Sequence, residues 1–122
     1  MIGYTTLGTN DLPRAAAFYD ELFGVIGIKR IMDFGRGYAW GPGMQQPCFG
    51  LMKPFNGQPA TAGNGTMVAL IVDSKEKVDT LHAKAVALGG KCEGPPGPRG
   101  EGFYAGYFRD LDGNKLNAFC MG

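Results

Sequence analysis

Apolar and polar positions follow one order along the first half of this chain and then repeat it in the second. Residues 2–9 are rich in Thr and aromatic side chains, which predicts a short strand. Leu12, Ala15, Ala16, Tyr19, Leu22 and Phe23 then recur at helical spacing. Asn10 is the expected N-cap, Asp11 favours the positive end of the helix dipole, Pro13 fits the first turn, and Gly24 is the expected stop. Strand patterns follow at 25–34, 37–40 and 46–52, separated by Gly35-Arg36-Gly37 and Gly41-Pro42-Gly43. After a Pro- and Gly-rich connector at 54–64 the order restarts, with an apolar strand at 66–72. Asp73 and Glu76 have the spacing of a capping box. Val78, Leu81, His82, Ala85 and Leu88 line one helical face, and Gly89-Gly90 ends it. Strands are predicted at 91–93, 103–109 and 115–120.

The chain therefore reads βαβββ twice, in modules of about 1–53 and 65–122 within one domain. Helix starts and stops are offset by 63 to 65 residues. Each module has a sheet with one apolar face covered by a helix, so the expected class is α+β with helices on the outer face. Asp112-Gly113 marks a tight hairpin, because Gly tolerates the positive φ such turns demand. The alternation puts Tyr107, Asn117 and Phe119 on one face of that hairpin. Phe108, Leu116 and Ala118 take the other.

Three stretches carry a resemblance. Tyr107-Phe108-Arg109-Asp110-Leu111-Asp112-Gly113-Asn114-Lys115 resembles the C-terminal signature of the vicinal-oxygen-chelate superfamily. That superfamily includes glyoxalases, bleomycin-resistance proteins, fosfomycin-resistance enzymes and extradiol dioxygenases. The segments 6–19 and 63–70 resemble the openings of its first and second modules. The resemblance spans essentially the whole chain. It implies a curved sheet with a concave pocket, frequent pairing into homodimers, and four metal-ligand positions on the first and last strands of the two modules. Carried over residue by residue, those positions are Tyr4, Gly50, Met67 and Asn117, where metal-dependent members commonly have His and Glu or Gln. A thioether suits soft metals, and neutral phenol or amide groups are poor ligands for a divalent ion. The expectation is a protein with no metal and no cofactor.

The residue inventory narrows the chemistry further. With one histidine, a two-histidine site within one protomer is excluded. That residue, His82, is expected at the back of the sheet. Cys48, Cys92 and Cys120 are an odd set without CxxC spacing, against a disulfide framework. Cys48 has no histidine to activate it as a nucleophile. A net charge of +1 with scattered Lys and Arg favours neither nucleic acid nor an anionic membrane as partner. No apolar run reaches the roughly 20 residues of a membrane span, and no signal peptide is recognisable, so a cytoplasmic location is expected.

Tyr4, Thr6, Trp40 and Cys48 are candidate ligand-binding residues of the concave face. Met67, Tyr107, Asn117 and Phe119 join them from the second module, and Arg99 from a loop at 94–102 expected to cover the mouth. Aromatic walls with a few neutral hydrogen-bonding groups suit an amphipathic organic ligand. The same residues also suit a filled small core, and Trp40 can pack under the first helix. Asp110 and Asp112 read as turn residues and not as an acid–base pair. Three functions stay open: a metal-independent protein that binds or sequesters a small molecule, a glyoxalase-like lyase or isomerase, and a metabolite-sensing accessory domain.

Overall fold

The computed structural model describes residues 1–122. The first module comprises β1 (Tyr4–Gly8), α1 (Leu12–Gly24), β2 (Lys29–Asp33), β3 (Gly37–Gly41) and β4 (Cys48–Met52). The second comprises β5 (Val68–Ile71), α2 (Lys75–Ala87), β6 (Lys91–Pro98), β7 (Phe103–Arg109) and β8 (Lys115–Met121). Each forms its own four-stranded sheet, in the orders β1-β4-β3-β2 and β5-β8-β7-β6. In both, the first strand lies parallel to the last and the other pairs are antiparallel. The α+β class and the doubled βαβββ order are as the alternation predicts, with one four-stranded mixed sheet in each module.

The local chemistry departs from expectation at several ends. The N-cap of α1 is Asp11, whose carboxylate accepts from Arg14 N–H at 3.2 Å. Asn10 is drawn away to the connector, where its side chain accepts from Ala60 N–H at 2.7 Å and donates to Ala60 O at 3.0 Å. Ser74, not Asp73, caps α2 by accepting from Lys77 N–H at 3.2 Å, while Asp73 pairs with Lys77 Nζ at 2.9 Å. Gly24 is the last helical residue but not the stop. The turns run on to Gly27, whose φ of +73° reverses the chain and shortens β2 at its start. The expected loop at 94–102 is mostly strand. β6 continues through Pro98 as an edge strand with two register shifts, the setting in which prolines are tolerated. Arg99 fastens it by donating to Pro95 O at 2.8 Å and Gly97 O at 3.0 Å.

One core joins the modules. α1 contributes Ala15, Phe18, Tyr19, Leu22 and Phe23, and packs on Leu7, Trp40, Phe49 and Leu51 of its own sheet. α2 contributes Val78, Leu81 and Ala85 against Phe108, Leu116 and Ala118, and the two sets form a single cluster. Fully burying a side chain such as Leu or Phe contributes about 1.5–3 kcal/mol. The turn at 110–114 clasps the modules together. Asp110 accepts from the Tyr19 hydroxyl at 2.5 Å, Asn114 Nδ2 donates to Gly8 O at 2.9 Å, and Asp112 accepts from Asn10 N–H at 3.0 Å.

Candidate functional site

Strand alternation sends one set of side chains under each helix and leaves the other set on an open face. On the first sheet the open-face set is Tyr4 and Thr6 of β1, Gly37, Ala39 and Gly41 of β3, and Cys48, Gly50 and Met52 of β4. All of these but Gly37 and Gly41, with Met32, Phe34, Arg36, Met44 and Gln46 from the neighbouring strand and turns, border a cavity of about 390 Å³. Its floor is almost bare. Ala39 and Gly50 face each other across β3 and β4, and Gly50 pairs in turn with Thr6. A Cβ on Gly50 would come within 3.1 Å of Thr5 O and Thr6 Cγ2, so a side chain there would require β1 to give by a few tenths of an ångström.

Three of the candidate residues, Tyr4, Thr6 and Cys48, border this cavity. The Cys48 thiol donates to Gln46 O at 3.0 Å. Trp40 does not share the open face. It alternates with Ala39 and Gly41 and points under α1, 1% exposed, among Tyr19, Phe23 and Phe49. Its indole N–H is satisfied by Asp20 Oδ1 at 2.9 Å, which lets an indole be buried without an orphaned donor.

Tyr107, Asn117 and Phe119 lie on the open face of the second sheet, where Tyr107 and Asn117 are direct partners. The Arg99 and Lys115 cations flank the Tyr107 ring at 5.5 Å each. Asn117 is buried and its Oδ1 has no hydrogen-bond partner. Phe119 stacks on Phe103 at 5.2 Å. Met67 precedes β5 and borders a different, apolar groove of about 540 Å³ between that strand and Phe23, Ile26, Ile28 and Trp40. Within one chain the nine candidates are thus divided between two sheets and do not form one pocket.

Comparison with known proteins decides what this architecture is. The family model of the Glyoxalase/Bleomycin resistance protein/Dioxygenase superfamily matches residues 1–118. The chain belongs to this superfamily. A glyoxalase/bleomycin resistance protein from Albidiferax ferrireducens is 39% identical, with a TM-score of 0.89 over 100% of this chain and 99% of that one. A lactoylglutathione lyase from Agrobacterium tumefaciens is 25% identical, with a TM-score of 0.70 over 98% of this chain and 92% of that one. The fosfomycin resistance protein FosX from Listeria monocytogenes shares the fold at 21% identity, with a TM-score of 0.73 over 100% of this chain and 93% of that one. No curated protein matches the sequence.

The metal implied by the superfamily can be tested on the donors present. Gly50 offers no side chain, Met67 offers a thioether, and Tyr4 is 72% exposed on the first sheet. Asn117 has a free amide oxygen but lies on the other sheet, and no three His, Cys, Asp or Glu residues of this superfamily member are placed to hold a metal ion. This donor set does not fit a hard or borderline divalent ion. His82 does not help. It lies on the helix side, edge-on to Phe108 with ring centroids 6.3 Å apart, and burial holds its imidazole below its usual pKa.

Sequence reading missed Arg36 and the methionines. Arg36 stands between two glycines in the β2–β3 turn, which reads as punctuation. Met32 and Met52 border one cavity because β2 and β4 flank β3, and Met44 reaches it from the β3–β4 turn.

Proposed function

We propose that this protein binds a small organic molecule in the first-sheet cavity without a metal ion, as a sequestering or resistance member of its superfamily. The cavity itself carries the reading. It joins a bare floor and apolar walls to a few hydrogen-bonding groups, the composition of a ligand site and not of a packed interior. The unsuitable donor set supports binding independent of metal. The free thiols of Cys48, Cys92 and Cys120 suit the reducing cytoplasm, and no helix is long and apolar enough to cross a membrane.

Likeness to a lactoylglutathione lyase supports a second reading, a lyase or isomerase acting on a small organic or thiol-conjugated substrate. A homodimer accompanies either reading. The outer edge of β5 is unpaired, with Ile71 and Met67 exposed beside the apolar groove.

Native mass spectrometry of protein purified without chelator tests the proposal. The expected spectrum shows metal-free chains and, after incubation with a library of amphipathic compounds, one-per-chain adducts that Ala39→Leu abolishes. Stoichiometric zinc, nickel, manganese or iron, lost on replacing Asn117, would overturn it.

A further inference from the structure

The cavity has a shape and a polarity that together specify its ligand class. We propose that it takes a flat aromatic anion, with the rings laid on β3 and β4 and the negative group held by Arg36. This rests on reading the cavity as the ligand site.

The floor dictates flatness. Every open-face residue of β3 is Gly or Ala, namely Gly37, Ala39 and Gly41, and the centre of β4 is Gly50. Between the Cys48 and Met52 side chains, which lie beside Gly41 and Gly37, the paired Ala39 and Gly50 leave the middle of both strands almost without side chains, a patch against which a planar ring makes more contact than a puckered one. The walls select for aromatic character. Met32, Met44 and Met52 border the cavity, half of the chain's six methionines, and thioethers make favourable contacts with ring edges. Phe34 and Tyr4 add aromatic surface at the rim.

Charge selects the anion. Arg36 is the single charged residue bordering the cavity, and no carboxylate faces it there. Its Nη1 donates to Lys53 O at 2.9 Å and to Met52 Sδ at 3.2 Å, and its guanidinium lies 5.2 Å from the Phe55 ring centroid. These contacts fix the fork while leaving Nε and Nη2 with no protein acceptor, and Arg36 makes no salt bridge. A guanidinium held on one side and unmatched on the other suits a carboxylate. The neutral groups Tyr4, Gln46 and Cys48 lie towards the opposite end of β4, about 13 Å from Met52 at the usual rise per strand residue. That span accommodates two fused rings and a carboxylate.

The test uses four probes on the full chain: 2-naphthoate, neutral 2-naphthamide, the cation 2-naphthylmethylammonium, and saturated decahydro-2-naphthoate. Binding is read by titrating amide NMR signals in wild type, Arg36→Gln and Ala39→Leu, with circular dichroism checking each fold. Arg36 lies on an exposed turn, so its variant keeps the test valid even if Ala39→Leu fails to fold. The expected result is that 2-naphthoate shifts amides of residues 37–41 and 48–52 and binds at least tenfold tighter than the other three probes. Arg36→Gln should bring it down to the amide's affinity while leaving the amide unchanged. If all four probes bind the cavity equally and Arg36→Gln is silent, the ligand class is wrong and the cavity remains a binding site. If none of them shifts a cavity amide, this proposal and the reading beneath it both fall.

Discussion

The hydroxyl of Tyr19, in the first helix, donates to Asp110 Oδ2 in the last hairpin at 2.5 Å. Both groups are buried, and the bond ties one module to the other. The same carboxylate accepts from the N–H groups of Asp112 and Asn114 and from Asn114 Nδ2, each at 2.9 Å. Tyr19→Phe removes one bond to a charged group and should cost about 1.5–3 kcal/mol. Asp110→Ala strands every one of these donors and should cost more than about 3 kcal/mol. Urea denaturation checks both. The midpoint should fall at constant slope for Tyr19→Phe, and equal losses for the two variants would contradict the clasp.

Alkali should weaken the fold through the same residue. Burial, then the negative charge of Asp110, pushes the Tyr19 phenol well above its ordinary value of 10.0. Below about pH 10 the phenol is neutral whether the chain is folded or not. Above it the unfolded tyrosine ionises and the folded one does not, so stability falls as pH rises. Tyr104, held up by its hydrogen bond to Asp79, acts in the same direction. Stability measured from pH 9 to 11 should decline less steeply in Tyr19→Phe than in wild type, and parallel curves would refute the assignment.

His82 sets the acid side. Burial lowers its pKa from 6.5, an effect opposed by a hydrogen bond to the Tyr107 backbone and by the charge of Asp79. A depressed value means that stability is full above about pH 6.5 and declines as pH falls, because the unfolded imidazole takes up its proton first. As the sole histidine, it gives one imidazole resonance in a proton NMR titration. The midpoint is expected below 6.5, and a value above it would show that the ring is solvated or ion-paired.

Assembly can be tested at β5. Ile71 is 68% exposed on an unpaired edge, where a lone chain gains nothing from a large apolar group. Light scattering at tens of micromolar should give twice the 13.0 kDa chain mass. Ile71→Lys should give a folded monomer. A wild-type monomer, or a dimer indifferent to that charge, would remove β5 from the interface.

The fold was legible because it depends on periodicity. Leu12 to Phe23 could bury a stripe only as a helix, and Asp112-Gly113 only as a turn. The helix caps were harder to read, since Asn10 and Asp11 are both good caps. What separates them is Ala60, 50 residues away, which takes the Asn10 side chain. Trp40 shows the limit at single residues. In Gly-Tyr-Ala-Trp-Gly the alternation is clear, but Tyr and Trp share the face opposite Ala, and nothing local says which face meets the helix. Asp20, one helix away, supplies the indole's acceptor and settles it. Arg36 was illegible for a related reason: its partners, Met52 Sδ and Lys53 O, arrive from another strand.

The turn at Asp110 also bears on how the chain is made. Its bonds to Tyr19, Asn10 and Gly8 span 91, 102 and 106 residues. At a synthesis rate of about 5–20 residues per second, the complete first module exists for roughly 3–11 seconds before that turn is built. Throughout that interval the Tyr19 hydroxyl lacks its acceptor, and the apolar side of α1 that meets the second module stays uncovered. A ribosome stalled before residue 110 should therefore display a nascent chain that proteases cut and chaperones hold, and release of the last dozen residues should protect residues synthesised first.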